Sequence, residues 1–98
     1  ANDYIWLATT WQQNNVGDTP GFNGGYKAAL RSIKARVLYM PCETDLYFHI
    51  DALRHEAQFI PDVKFTVIPT LWGHFAGGGS SPEDAVFINR TILDFLEQ

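Results

Sequence analysis

Apolar and polar residues along this chain form blocks whose lengths predict two strands joined by a helix. Residues 37–40 and 64–68 are apolar runs of strand length, the second rich in β-branched side chains. Between them, residues 51–60 place Leu53 and Ala57 on one apolar stripe with Ile60, as an amphipathic helix does. Such an order forms a βαβ unit, whose strands lie parallel with a right-handed crossover. The pattern therefore predicts an α/β fold: a parallel βαβ unit with flanking helices.

The first third of the chain predicts two helices and a long loop. Residues 2–11 follow helical spacing, with Asn2 as the expected N-cap. Residues 12–25 are polar and rich in glycine, which predicts a loop, and residues 26–33 suit a short helix. The expected apolar face of the first helix consists of Tyr4, Leu7, Ala8 and Trp11.

The last helix has the clearest start signal in the sequence. Ser81 is the expected N-cap, Pro82 takes the first helical position, and Glu83 and Asp84 bring negative charge to the first turn. A flexible glycine turn, residues 77–80, precedes it. Its expected buried face consists of Ala85, Ile88, Ile92, Phe95 and Leu96.

The amino-acid composition limits the class of protein that this chain can be and the partners that it can bind. The 98 residues fit one small domain, and 46% hydrophobic with 14% aromatic residues is typical of a globular protein. The net charge of -4, without a cluster of Lys and Arg, argues against a nucleic-acid partner. No apolar run has the length that spans a bilayer, so we expect no membrane partner. No secretory leader is visible, although the chain does not begin with Met.

Cys42 is the single cysteine, which excludes an internal disulfide and any multi-cysteine metal site. We expect it to be a small buried residue at a strand end, with a nucleophilic thiol as the alternative.

Two parallel strands are too few to bury both faces of a sheet. Parallel strands need neighbouring strands and helices on both sides. We therefore expect this chain to be one end of a larger sheet, either as a fragment or with the remaining strands supplied by another chain.

Two residues with complementary chemistry follow the predicted strands. Asp45 comes shortly after the first strand and His74 shortly after the second. The carboxyl ends of parallel strands meet at one edge of a sheet, where open α/β sheets bind their ligands. We expect the carboxylate and the imidazole to converge there.

A carboxylate beside a histidine is the supporting pair of a Ser-His-Asp triad, because it orients the ring and stabilises the imidazolium. In α/β-hydrolases the chain order is Ser, then Asp or Glu, then His, with the serine in a G-x-S-x-G elbow. Asp45 and His74 fit the second and third places, but the elbow is missing. Ser32 lies in a helix pattern, and Ser80 and Ser81 are explained by a turn and a cap. In a hydrolase fold, the nucleophile and oxyanion hole would precede residue 1.

Asp45-Leu46-Tyr47-Phe48 after one strand, and Trp72-Gly73-His74 after the next, resemble the C-terminal portion of the homoserine O-acetyltransferase-like α/β-hydrolases. The resemblance covers nearly the whole chain and corresponds to the last quarter to third of a family member. It implies that Asp45 is the triad acid and His74 the triad base. It also implies that residues 1–33 are cap and connecting helices with a loop, and that residues 34–98 are the C-terminal βαβα portion of the hydrolase core.

The activity implied by the resemblance is serine-dependent acyl transfer through an acyl-enzyme, with acetyl-CoA as a possible co-substrate and no bound cofactor. Family acetyltransferases follow the histidine with Asp-x-Phe-Leu, whereas this chain has Phe75-Ala76-Gly77-Gly78-Gly79. Ester or amide hydrolysis is therefore a close alternative, because only the second acceptor, water or alcohol, separates the two reactions. A non-catalytic fragment or interaction module, lacking a nucleophile, is the alternative from another class.

The expected partners are a small-molecule acyl donor and acceptor, together with the remainder of the hydrolase core from an upstream segment or another chain. We expect a cytoplasmic enzyme, with a homodimer as an open possibility.

Several other side chains have competing interpretations. Glu43 is a substitute acid two residues from Asp45. His49, His55 and Glu56 match no metal-binding spacing, so we expect no metal site. Four aromatic residues either line a substrate pocket or pack against a core outside this chain; they are Trp6, Trp11, Phe22 and Tyr26.

Overall fold

The computed structural model describes all 98 residues, which divide into two units, Ala1–Ile33 and Lys34–Gln98. The first unit contains helix α1 (Asn2–Gln13), a short 3-10 helix (Val16–Asp18) and helix α2 (Tyr26–Arg31). The second contains strand β1 (Val37–Tyr39), helix α3 (Ile50–Ala57), strand β2 (Val63–Phe65), a 3-10 helix (Gly73–Gly78) and helix α4 (Pro82–Glu97).

Helix α1 forms where its spacing predicted it, but its N-cap prediction was wrong. The N-cap is Ala1, whose carbonyl accepts the first helical hydrogen bond, from Ile5 N–H at 3.2 Å. Asn2 is already inside the helix, so its side chain lies one position too late to cap it. No residue of α1 is buried, and its large apolar side chains are exposed, with Tyr4 at 79%.

The predicted loop between α1 and α2 is folded on itself. The Asn15 side chain accepts a hydrogen bond from Gly17 N–H at 2.8 Å and donates one to the Gly24 carbonyl at 2.9 Å. Gly17 is buried, and a Cβ there would lie 2.5 Å from the carbonyl carbon of Gly24. Only glycine therefore permits this close approach of two backbone segments.

The predicted parallel βαβ unit is present. Val37 pairs with Val63 and Tyr39 with Phe65 in a two-stranded parallel sheet. Both strands are shorter than the sequence predicted, yet the pairing continues past them, because Ile68 N–H donates to the Pro41 carbonyl at 2.8 Å. The two segments that follow β1 and β2 thus stay side by side beyond the ends of the strands.

Helix α3 is also shorter than predicted, although its orientation is as expected. It begins at Ile50 and ends at Ala57. Ala57 and Ile60 are buried and Leu53 is half-buried, whereas Arg54 is exposed, with its guanidinium 4.7 Å from the centre of the Phe65 ring.

A small core lies beyond the carboxyl ends of the strands. It consists of Cys42, Ile68 and Ala76, and Met40, Phe87 and Ile88 pack against it. The prediction that Cys42 is buried at a strand end is therefore confirmed. This core supports the loops that carry Asp45 and His74.

The buried face of α4 is rotated from the one that the sequence predicted. Ile92 and Leu96 are exposed, while the half-buried Ala85, Ile88 and Phe95 were assigned correctly. The stripe that faces the unit begins with buried Asp84 and is completed by Phe87 and Thr91. Asp84 is attached on this side, because its carboxylate accepts a hydrogen bond from Thr70 in the segment that follows β2. Each of the four α-helices is too short or too polar to cross a bilayer.

Candidate active site

Asp45 lies in the loop that follows β1, with its side chain turned into the protein. Only 6% of the residue is exposed. Its Oδ1 accepts hydrogen bonds from Tyr47 N–H at 2.8 Å and Phe48 N–H at 3.0 Å, the local turn that an aspartate side chain favours. Its Oδ2 lies 3.0 Å from Nδ1 of His74. Three hydrogen bonds therefore fix this carboxylate.

Two opposing effects act on the pKa of the Asp45 carboxyl. Burial raises the pKa, because desolvation disfavours the charged form. The hydrogen bonds from Phe48 N–H, His74 and Tyr47 N–H lower it, with a further contribution from the charge of His74. The pKa lies below its ordinary value as a result, so Asp45 is a carboxylate at neutral pH.

His74 follows β2 as the second residue of the 3-10 helix Gly73–Gly78. An ionised carboxylate only accepts hydrogen bonds, so Nδ1 of His74 must carry the proton that Oδ2 of Asp45 receives. In the neutral ring this leaves Nε2 as the proton acceptor. The side chain is 44% exposed, so the imidazole is accessible although its partner is buried.

Aromatic rings surround the imidazole of His74. The ring centroids of Tyr47, Phe48 and Phe75 lie 5.0, 5.4 and 6.3 Å from that of His74. The imidazole therefore lies in an aromatic environment.

The backbone next to His74 adopts a conformation that favours glycine. Gly73 has φ +58°, in the left-handed region, and its N–H donates to Thr44 Oγ1 at 3.0 Å. A Cβ at this position would lie 3.2 Å from the Thr44 carbonyl oxygen. The Gly-His pair therefore allows the chain to pass close to the loop of Asp45.

Two threonines hold the loop of His74 and were not identified from the sequence. Thr44 Oγ1 donates to the Thr70 carbonyl at 2.9 Å. Thr70 Oγ1 donates to Oδ2 of buried Asp84 at 2.6 Å and accepts from Trp72 N–H at 3.0 Å. The sequence offers only one sign of these hydrogen bonds, which is where the residues lie: Thr44 directly precedes Asp45, and Asp84 is in the first turn of α4.

An open groove of about 440 Å³ lies beside the Asp45–His74 pair. Its lining is mostly apolar and includes both Asp45 and His74. The other lining residues are Tyr39, Met40, Pro41, Cys42, Phe48, Leu53 and Glu56. Burial raises the pKa of Tyr39 to about 12, helped by the nearby Glu56 carboxylate, so Tyr39 is an uncharged wall of this groove.

The competing acid and thiol are not placed for the same chemistry. Glu43 is exposed, and its backbone N–H donates to the Ile68 carbonyl at 3.0 Å; Asp45, and not Glu43, bonds His74. Burial raises the pKa of the Cys42 thiol, and Asp45 and Asp84 raise it further, so the reactive thiolate is disfavoured.

The remaining histidines have local roles. His49 is the N-cap of α3, and its Nδ1 accepts a hydrogen bond from Asp51 N–H at 3.4 Å. The ring of His55 contacts that of Phe59 edge-on. No group of three or more His, Cys, Asp or Glu side chains is arranged to hold a metal ion.

Each serine hydroxyl of the chain bonds to nearby backbone. Ser32 Oγ donates to the Ala29 carbonyl and Ser80 Oγ to that of Phe75, while Ser81 Oγ accepts from Asp84 N–H as the α4 N-cap. These contacts agree with the turn and cap roles that the sequence predicted for Ser80 and Ser81.

The aromatic side chains of the first unit are largely on its surface. Trp6 and Trp11 are exposed, and Trp11 borders an open groove with Leu7, Thr10 and Asn14. The assignment of this unit to a cap over an acyl pocket stays a prediction.

Two curated proteins resemble this chain along nearly its whole length. An ethyl acetate hydrolase from Pseudomonas veronii is 29% identical over 95 residues, which are 97% of this chain and 27% of that protein. A probable esterase from Corynebacterium glutamicum is 27% identical over 96 residues, which are 98% of this chain and 27% of that protein. The chain thus spans about a quarter of the length of the curated relatives it matches. No family model matches the chain, and no solved structure matches it. The chain is therefore similar to part of two ester-cleaving enzymes, and neither is named as an acyltransferase.

Proposed function

We propose that this chain carries the acid and base of a serine ester hydrolase with the α/β-hydrolase fold. The observation that carries the proposal is the 3.0 Å contact between Oδ2 of Asp45 and Nδ1 of His74, formed by loops that leave neighbouring parallel strands. The similarity to two esterases supports it independently. His74 is the proposed general base and Asp45 the residue that orients it.

In the proposed reaction, Nε2 of His74 takes the hydroxyl proton of a serine as the serine oxygen attacks the ester carbonyl carbon. The tetrahedral intermediate collapses, the carbon–oxygen bond to the alcohol breaks, and the alcohol leaves with the proton from His74. Water then attacks the acyl-enzyme, again giving its proton to Nε2. Collapse of the second intermediate releases the carboxylic acid and returns the proton to the serine.

The geometry of Asp45 suits this cycle. Its carboxylate is ionised, so it stabilises the imidazolium that forms in each step. Because the carboxylate is buried, water does not compete for its hydrogen bond to His74. The exposed share of the His74 ring leaves Nε2 accessible to a nucleophile.

The nucleophile and the oxyanion hole are proposed to lie in polypeptide outside these 98 residues. Support comes from the three serines, whose hydroxyls all serve local turns and caps, and from the 27% coverage of the relatives. That polypeptide, as an upstream segment or another chain, would also complete the sheet beside β1 and β2. The first unit, Ala1–Ile33, is proposed as its cap.

Hydrolysis is favoured over acyl transfer from acetyl-CoA because both relatives are named for ester cleavage. The two reactions share the acyl-enzyme and differ only in whether water or an alcohol removes the acyl group. Incubating the intact protein with p-nitrophenyl acetate, and separately with acetyl-CoA and homoserine, distinguishes them. Ester hydrolysis without acetylated homoserine is the expected result, and acetylated homoserine as the main product would contradict it.

A fluorophosphonate probe, which labels activated serines, tests the role of the pair. We expect the intact protein to be labelled, and labelling to be strongly slowed in Asp45→Asn and His74→Ala. Glu43→Gln is the matched control, because it neutralises an exposed acid two residues away and should be labelled as fast as the native protein. Equal labelling of all four proteins would remove both residues from the mechanism and leave a non-catalytic module.

A further inference from the structure

The hydroxyl of Thr44 joins the two loops that carry the proposed acid and base. It donates to the Thr70 carbonyl at 2.9 Å and accepts from Gly73 N–H at 3.0 Å. Thr44 precedes Asp45, and Gly73 precedes His74. One side chain therefore fastens together the backbone positions immediately before each member of the pair.

We propose that Thr44 is a positioning residue for the Asp45–His74 pair, an inference that rests on the proposed ester hydrolase function. The pair itself is a single hydrogen bond, and the imidazole is 44% exposed. During turnover the ring gains and loses a proton, so the distance between the two loops has to be held by contacts that do not titrate. The Thr44 hydroxyl provides two such contacts.

A second attachment makes the role of Thr44 specific. Thr70 Oγ1 donates to Asp84 Oδ2 at 2.6 Å, which ties the loop of His74 to the start of α4. Without the Thr44 hydroxyl, that loop remains attached to α4, and the Asp45–His74 hydrogen bond is left as its side-chain link to the loop of Asp45. The expected consequence is a displaced His74 within a folded protein, and not general unfolding.

Thr44→Val is the direct test because valine keeps the branched shape and removes the hydroxyl. In the intact protein hydrolysing p-nitrophenyl acetate, we expect kcat to fall by about 10- to 100-fold, the usual cost of small misplacement of a catalytic group. KM should change little, because Thr44 does not line the groove beside the pair. Thr44→Ser should restore most of kcat, and Thr91→Val, which removes a hydroxyl bonded only within α4, should match the native protein.

Coupling to Asp45 separates positioning from a general structural role. If Thr44 acts through the pair, Thr44→Val should lower kcat far less in an Asp45→Asn background than in the native one. An equal loss in both backgrounds, or a native kcat in Thr44→Val, would overturn the inference. If circular dichroism shows that Thr44→Val does not fold, Thr44→Ala takes its place. In that case, a kcat of Thr44→Ser no higher than that of Thr44→Ala would overturn the inference.

Failure of this inference is distinguishable from failure of the proposed function. Native kcat in Asp45→Asn and His74→Ala would remove the proposed function itself. A large loss in those two variants, with native kcat in Thr44→Val, would remove only the role of Thr44.

Discussion

Replacing Gly73 with alanine perturbs the junction between the two loops at a single point. Gly73 sits at φ +58°, and an added Cβ would lie 3.2 Å from the Thr44 carbonyl oxygen. The left-handed conformation costs an L-residue about 1–2 kcal/mol. Relief of the close contact would also stretch the hydrogen bond from Gly73 N–H to Thr44 Oγ1, which contributes about 1 kcal/mol.

An opposing effect reduces the cost, because alanine has less freedom than glycine in the unfolded chain. This favours the variant by about 0.4–1 kcal/mol. We expect Gly73→Ala to lower the free energy of unfolding by about 1–2 kcal/mol, which moves the urea midpoint down by roughly 0.5–1 M at a typical slope. Ester hydrolysis should fall as well, since His74 is the next residue.

Gly77→Ala is the matched control for urea unfolding followed by circular dichroism. Gly77 lies in the same 3-10 helix, has no left-handed φ, and a Cβ there would meet no atom within 4 Å. It should leave the midpoint unchanged or raise it slightly. Equal midpoints for Gly73→Ala and Gly77→Ala would refute the claim that the junction needs glycine.

Two further predictions concern pH and the start of α4. The pKa of Asp45 in the folded protein lies below its ordinary value of 3.8, so between these two pKa values the unfolded state binds more protons than the folded state. The stability that Asp45 contributes is therefore fully present above pH 3.8 and is lost as pH falls through the folded pKa. Urea midpoints measured across acid pH should therefore fall less steeply in Asp45→Asn than in the native protein, and equal slopes would contradict this. Ser81→Ala removes the cap that accepts from Asp84 N–H at 3.1 Å and should cost about 1 kcal/mol in thermal unfolding. Ser80→Ala, at an exposed neighbouring position, should cost less; a larger loss there would show that Ser81 is not the effective cap.

The convergence of Asp45 and His74 could be predicted because it depends only on topology. Two apolar runs separated by a helix imply parallel strands, and parallel strands bring the residues that follow them to one edge. The sequence did not separate Asp45 from Glu43 as the partner of His74. The structure separates them through the turn at Asp45 Oδ1, which points Oδ2 towards the imidazole.

The contacts that hold the site could not be predicted from periodicity. Thr44 and Gly73 are 29 residues apart and meet through one side chain and one N–H, a contact that leaves no pattern in the sequence. Asp84 was assigned to the first turn of α4 for its charge, yet its carboxylate is also buried and accepts a hydrogen bond from Thr70. Ile92, which was assigned to the buried face, is exposed.

The sequence motifs also could not distinguish ester hydrolysis from acyl transfer. The segments around Asp45 and His74 predicted a homoserine O-acetyltransferase-like protein, whereas the curated relatives are named for ester cleavage. An acid–base pair serves both reactions equally, because the acyl acceptor is selected by groups elsewhere in the active site.

Steady-state hydrolysis of p-nitrophenyl acetate by the intact protein tests most directly whether Asp45 orients the catalytic base. We expect Asp45→Asn to lower kcat roughly 10⁴-fold, since an amide holds the imidazole in the wrong tautomer. Glu43→Gln, which removes an exposed carboxyl group two residues away, should retain the native kcat. A native rate in Asp45→Asn, or an equal loss in Glu43→Gln, would contradict the assignment of Asp45 and His74 as the working pair.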